Sequence, residues 1–416
     1  MSAAAPSPAA ELSLFSIRPF MCFVLARSFS TLAYQMITVA VGWQLYTMTG
    51  KALDLGLLGL VQFLPSIVLM LVVGHVADRY DRRIVLGACL VVHTITATLL
   101  ALGSFEGMSW TGWIDARLIF MQMFFFGATR SFEGPTSQAI APNLVPLEVL
   151  PRAIAFSQSA FKAAAVTGPA LGGFLYLAGP VTVYTVCAIF YGLAFVMVTC
   201  IRMVRIAPRP EPISLRSIFA GMALIRRRPV MLGAVSLDLF AVLLGGATAL
   251  LPIYAQDILH IGPEGLGLLR SAPAMGALPM ALLLSRYPLG GRIGRTMLLS
   301  VAVFGLATIV FALSTSFVLS LAALVILGAS DMVSVVIRVS LIQLQTPDNM
   351  RGRVSAVASV FIGTSNELGE FESGMLAALI GAVGAALFGG VGTLLVVLLW
   401  IKLFPELARF DRLRTP

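Results

Sequence analysis

Apolar runs of about twenty residues recur from end to end of this chain, and nothing else in the sequence constrains its fold as strongly. A run of that length crosses the hydrocarbon core of a bilayer as an α-helix. Backbone in lipid must satisfy its own hydrogen bonds, which leaves helices or closed barrels as the spanning structures. With Gly, Pro and charge clusters as breaks, twelve spans are predicted: 18–46, 55–77, 83–104, 113–141, 150–178, 181–201, 229–256, 263–285, 295–314, 317–344, 351–381 and 383–403. Composition agrees where it decides: 11% of the residues are charged, against about 25% in soluble domains. That is too little polar surface to coat a water-facing body of 416 residues. The predicted class is an all-α membrane protein with twelve transmembrane helices.

The net charge of +9 invites a nucleic-acid reading, but the basic residues fall in short connections between apolar runs, with no basic aromatic stripe. No nucleic-acid partner is expected. With the N-terminus placed inside, Arg79, Arg82, Arg83, Arg152, the arginines from Arg202 to Arg228, Arg286, Arg292, Arg295, Arg351 and Arg353 all lie on the inner side. Arg18, Lys402, Arg409, Arg412 and Arg414 join them, and the outer side holds Lys51 and little else. This asymmetry follows the positive-inside rule and predicts both termini in the cytoplasm. Residues 1–17 have no basic region ahead of an apolar core, so they do not read as a cleaved signal, and the first span is expected to stay in the mature protein.

The longest connection, 203–228, carries three prolines and a basic cluster and reads as a cytoplasmic linker with an interfacial helix near 215–225. It divides the chain into an N-terminal bundle (1–201), the linker (202–228) and a C-terminal bundle with a short tail (229–416). A shift of 201 residues lays Gly127 on Gly328, Arg152 on Arg353, and Gly168 on Gly369. Two pseudo-symmetric six-helix halves are therefore expected, with a substrate path near mid-membrane. Cys22, Cys89, Cys187 and Cys200 lie in apolar stretches without paired spacing, so no disulfide or metal site is expected.

The connection after the second span reads Gly74-His75-Val76-Ala77-Asp78-Arg79-Tyr80-Asp81-Arg82-Arg83. This resembles the G-x-x-x-D-R-x-x-R-R signature of the major facilitator superfamily. Gly74 permits close helix approach, Asp78 can cap a helix or pair with an arginine, and Arg79, Arg82 and Arg83 suit the anionic leaflet. The resemblance implies a gating role for this loop. The fifth span holds Gly168-Pro169-Ala170-Leu171-Gly172-Gly173, similar to the family's G-P-x-x-G-G element, typical of its exporters. Ala164 stands where the family has an earlier glycine. Pro169 removes a backbone bond, and Gly168, Gly172 and Gly173 allow close packing. With Arg351-Gly352-Arg353-Val354, the segment Asn366-Glu367-Leu368-Gly369-Glu370-Phe371-Glu372-Ser373-Gly374 looks like a branch related to bacterial enterobactin and drug exporters. What this implies is the major facilitator fold, a bacterial inner-membrane location, a small-molecule substrate, protons as coupling ion, a monomer and no cofactor.

Ionisable residues inside a span are costly and point to function. Arg27, Arg130, Glu133, Asp238, Asp331 and Arg338 are such residues. Arg27 and Asp238 each lie about 14 Å from the inner end of their spans, and the 201-residue shift superposes Arg130 on Asp331. In the resembled fold these spans line a central cavity, so Arg27, Arg130, Asp238 and Asp331 are expected to face it, as proton-coupling groups or as static ion pairs. Glu133 lies one helical turn from Arg130 as a candidate local partner. Glu367 and Glu370 share a helical face, with Lys162 as a candidate counterion. Phosphate-binding loops, H-E-x-x-H and G-x-S-x-G are absent from the sequence, and His75, His93 and His260 are scattered. ATP-driven transport and enzymatic hydrolysis are thereby disfavoured. The expected function is secondary export of amphipathic small molecules, siderophore or drug-like. An uptake symporter and a non-transporting receptor or scaffold are the alternatives.

Overall fold

A computed structural model describes residues 14–105, 115–140, 143–146, 148–201, 215–287, 291–347 and 350–411. The described residues are helical throughout their long elements. In chain order these are α1 (Arg18–Thr49), α2 (Ala52–Arg79), α3 (Arg82–Gly103), α4 (Ala116–Ile140), α5 (Leu150–Tyr176), α6 (Pro180–Thr199), α7 (Leu215–Arg227) and α8 (Pro229–Leu244). The short α9 (Leu251–Ile253) precedes α10 (Pro263–Arg286), α11 (Ile293–Leu313), α12 (Phe317–Gln345), α13 (Arg351–Leu403) and α14 (Pro405–Ala408). Among the described residues, nine stretches are long and apolar enough to cross a membrane. The helices α4 and α5 have the length, 25 and 27 residues, but carry more polar groups. The stretch Phe361–Leu403 is 43 residues long, enough for two spans: Gly381, at φ +80°, breaks α13 into its eleventh and twelfth crossings, a conformation open to glycine. The protein is thus an all-α membrane protein of twelve crossings.

Several helices begin where proline occupies the first turn, as in α5, α6, α8 and α10. There the missing N–H costs no helical bond. The helix α3 begins at an Asp81 cap whose carboxylate accepts from the Arg83 backbone N–H at 2.9 Å. The seventh span is not the continuous helix expected over 229–256. Its helix stops at Leu244, and the chain continues as a 3₁₀ turn (Ala247–Leu250), α9 and a π-helical turn (Tyr254–Ile258). The cause is Gly245-Gly246: a side chain at Gly246 would strike the Gly369 carbonyl and Ser373 of α13. The break lets the two backbones pass.

The chain packs as two units, 1–41 with 64–212 and 42–63 with 213–416. The C-terminal end of α1 and the start of α2 thus belong to the second unit, whereas the division drawn from sequence places them in the first half. In the first unit α3 packs on α4 and α6, and in the second α11 packs on α12 and α13. These are equivalent pairings of the third with the fourth and sixth crossings of each half, the structural form of the 201-residue repeat. The second unit closes its core around Leu237, Met297, Ile337 and Trp400. The basic amphipathic α7 docks on a separate cluster of the same unit through Ile225, against Met231, Ile342 and Val357.

Candidate functional site

The first unit contains a cavity of about 250 Å³ lined by Arg27, Ser30, Tyr34, Gln35, Arg130, Glu133 and Phe161, among others. Three of the charges singled out in the sequence meet here. The Arg130 guanidinium lies over the Tyr34 ring, 3.4 Å from its centroid, and Tyr34 stacks on Phe126 at 5.7 Å. Arg27 lies over Phe161 at 4.5 Å and donates to Ser157 Oγ at 3.2 Å and Gln158 Oε1 at 3.5 Å. Cation–π contacts hold a guanidinium without neutralising it, so the cavity presents two positive groups on aromatic platforms.

Glu133 supplies the negative charge, but its partner is not Arg130. No ion pair joins the two among the described residues. Glu133 Oε1 accepts from Ser30 Oγ at 2.5 Å, and Oε2 lies 3.8 Å from His93 Nδ1. His93 of α3 is the residue that sequence reasoning missed. It sits between Phe126 and Tyr191, with ring centroids 4.4 and 5.0 Å away, and its Nε2 is 2.6 Å from Thr129 Oγ1.

The remaining intramembrane charges lie in the second unit. Asp238 of α8 forms an ion pair with Arg338 of α12, and both side chains are almost wholly buried, 6% and 3% exposed. Asp331 and Ser334 line the same narrow crevice as Asp238. On α12, Asp331, Ser334 and Arg338 follow the i, i+3, i+7 pattern of a single face. Glu367 and Glu370 do share a face: both carboxylates point at Gly59 of α2, where a methyl would stand 3.6 and 3.1 Å from their oxygens. Thr248 Oγ1 donates to Glu370 Oε1 at 3.4 Å, and Arg270 acts on the same carboxylate electrostatically. Lys162, the counterion considered from sequence, is exposed in the first unit.

In the loop motif, the side chains of Gly74 and Asp78 lie outside the described residues. Arg79 is exposed. Arg83 pairs with Asp81 at 2.7 Å and donates to the Ile201 carbonyl beyond α6 at 3.0 Å. The Arg83 guanidinium holds the Asp81 carboxyl below the usual carboxylate range. This loop therefore ties α3 to the end of α6 within one unit. In the helix-bend motif, Pro169, Gly172 and Gly173 are buried in α5 with Gly168. Gly168 and Gly172 face α1, where added Cβ atoms would stand 2.5 Å from Gln35 Cβ and 2.7 Å from Met36 Cα.

Comparison with known proteins bears on this arrangement. A family model described as Major Facilitator Superfamily matches residues 23–370. The enterobactin exporter EntS of Citrobacter koseri is 28% identical, over 96% of this chain and 95% of its own length. The Escherichia coli O139:H28 protein of the same name matches equally. A solved bacterial homolog of the human lysosomal transporter Spinster superposes with a TM-score of 0.74 at 13% identity, covering 94% of this chain and 97% of that one. A D-xylose-proton symporter superposes at 0.69 and 14% identity, covering 95% and 99%. At such identities the structures speak to the fold alone. Carrying twelve crossings in two repeated units, with charges gathered at intramembrane cavities, the chain belongs to the Major Facilitator Superfamily of membrane transporters.

Proposed function

We propose that this protein is a proton-driven exporter of amphipathic small molecules, siderophore or drug-like, and not an enzyme. It works as a monomer in the bacterial inner membrane with both termini cytoplasmic, and access to its cavity alternates between the two faces of the membrane. The observation that carries the reading is the first-unit cavity, where Arg27, Arg130 and Glu133 converge on aromatic faces. Charges at this depth are tolerated only where they line a polar pathway or pair with one another. The mixed lining, two cations, one anion and flat rings, suits a substrate that combines polar and aromatic parts. The exporter named for the relatives at 28% identity supports the direction of flux. The second-unit charges Asp238, Asp331, Arg338, Glu367 and Glu370 belong to the same pathway. The loop from Gly74 to Arg83 gates it, and the bend at Gly168–Gly173 shapes it.

The test is flux in proteoliposomes of the full chain under an imposed pH gradient, with enterobactin and ethidium as probes. Acidifying the side toward which the probe leaves is expected to accelerate efflux at least about tenfold, and Glu133→Gln is expected to abolish the acceleration. Flux in the same direction as protons would make the protein a symporter. Flux indifferent to the gradient would remove the proton from the mechanism. No flux of either probe, with intact folded protein, would favour a receptor or scaffold.

A further inference from the structure

The segment after α13 turns back on the second unit and helps to build a cavity of its own. Pro405 occupies the first turn of α14. Leu407 is fully buried in the core of the unit, and Phe410 packs against the same cluster. Two backbone bonds then fasten the segment to the start of α11. The Arg292 N–H donates to the Asp411 carbonyl and the Gly294 N–H to the Phe410 carbonyl, each at 2.9 Å. Gly294 makes this approach possible, because a Cβ there would overlap the Leu407 carbonyl oxygen. The two carbonyls satisfy N–H groups that the start of a helix leaves without partners. Arg409 lies between these anchored residues, so backbone contacts fix its place beside the first turn of α11.

A cavity of about 620 Å³ lies between α11, the end of α13 and α14. On α11 its lining includes Arg295, Leu299 and Ala302, spaced i, i+4, i+7 along one face. These three span about 10 Å of the helix axis. Leu398 and Ile401 of α13 form the facing wall, and Arg409 joins Arg295 at the end nearest the tail. One end of the groove is therefore doubly cationic and the rest is hydrocarbon. Leu299 and Leu398 are 65% and 60% exposed, and the exposed apolar strip continues along α11 through Leu306, Val310 and Leu313. In a chain that crosses the membrane, such a strip meets lipid tails. Among the described residues neither guanidinium forms an ion pair, although Glu406 and Asp411 lie on the same segment.

We infer that this groove binds one anionic phospholipid, its phosphate held by Arg295 and Arg409 and an acyl chain laid along Leu299, Ala302, Leu398 and Ile401. The apolar wall alone selects nothing, since surrounding tails are as apolar as leucine. Selection falls to the headgroup. Guanidinium groups match phosphate oxygens in charge and in bidentate geometry, and a basic pocket between helices at a membrane face suits anionic headgroups. A second copy of the chain fits this face poorly. Sharing the same orientation in the membrane, it would bring its own two arginines to the same depth, four cations without a carboxylate between them. A free phosphate would use the basic end and leave the apolar length without a purpose. The bound lipid would join α11, α13 and the tail as a brace. The inference needs only that the chain crosses a membrane and is independent of the direction or coupling of transport.

Phosphatidylglycerol is the probe. The full chain is placed in nanodiscs of phosphatidylcholine containing a small fraction of phosphatidylglycerol with the same acyl chains. It is then released and weighed by native mass spectrometry with its retained lipid. One phosphatidylglycerol is expected, enriched at least about twentyfold over its fraction in the nanodisc. Arg295→Gln and Arg409→Gln should each lower that enrichment about fivefold, and the double variant should abolish it. Both arginines are exposed, so these variants are expected to fold. Lys402→Gln removes an exposed cation next to the groove lining and should keep the native enrichment. Ala302→Phe fills the chain end and should lower the enrichment with both arginines present. Leu299→Trp takes its place should that variant not fold. Equal retention of the two lipids, or a loss at Lys402→Gln as large as at the arginines, overturns the proposal. So does displacement of the lipid by inorganic phosphate with no effect of filling the groove, which would mark a free-anion site. A lipid-free dimer that Ala302→Phe converts to monomer would assign the face to a second copy instead.

Discussion

Asp238→Asn is expected to cost the folded state about 3–5 kcal/mol, because it leaves the Arg338 guanidinium buried beside a neutral amide. The guanidinium side chain is 3% exposed and pairs with Asp238, so water cannot step in where the carboxylate was. Arg338→Gln is expected to cost as much from the other side. The double replacement Asp238→Leu with Arg338→Met removes both charges and fills the space with apolar groups, and should return to within about 1 kcal/mol of the native protein. Unfolding midpoints of the purified variants in detergent give the cycle. A single variant with a native midpoint, or a double variant whose loss equals the sum of the singles, would mean the two side chains do not depend on each other.

The same set of variants separates the two roles that a central aspartate can have. If Asp238 only holds α8 to α12, the apolar double variant transports with coupling intact. If it carries a proton, the double variant folds but runs uncoupled. The ion pair joins crossings seven and ten of the same unit, which makes it a brace inside one bundle.

What could be read from the sequence follows the range of the forces involved. The crossings were legible because lipid demands about twenty apolar residues at a time, a local signal, and their ends were legible from proline and glycine. The break at Gly245-Gly246 was not, because the residues after it stay apolar and the reason for stopping is the backbone of α13, more than a hundred residues away. Nor was the packing of 42–63 with the second unit, since a helix's composition does not say which neighbours its C-terminal end meets. Intramembrane charges announced themselves by their cost, and Arg27, Arg130 and Glu133 do share a cavity. Their partners did not. Asp238 meets Arg338 and Glu133 meets His93 through helix rotations that spacing alone leaves open. A lone histidine in an apolar helix carries no signal until the carboxylate opposite it is seen.

The second large effect concerns Gly172, where the sequence motif and the packing can be tested together. Replacing glycine inside a helix by alanine ordinarily gains up to about 1 kcal/mol from propensity, so a loss on substitution has to come from sterics. At Gly172 the obstacle is backbone: an added Cβ would stand 2.7 Å from Met36 Cα and 3.0 Å from its carbonyl oxygen. A side-chain neighbour can rotate away, but Met36 Cα moves only if α1 and α5 separate. Separation would also break the Gln35 amide's 3.5 Å bond to the Ala165 carbonyl and open the lining of the cavity, which α1 supplies through Arg27, Ser30 and Tyr34. Gly172→Ala is expected to cost about 1–3 kcal/mol and Gly172→Leu more, enough to prevent recovery of folded protein. Gly192 is the control: nothing lies within 4 Å of a Cβ placed there, so Gly192→Ala should keep or raise the thermal midpoint. The order Gly, Ala, Val at 172 should lower the midpoint in steps while the same order at 192 does not. A Gly172→Leu protein that folds with the native midpoint would show that α1 and α5 do not approach as closely as this packing requires.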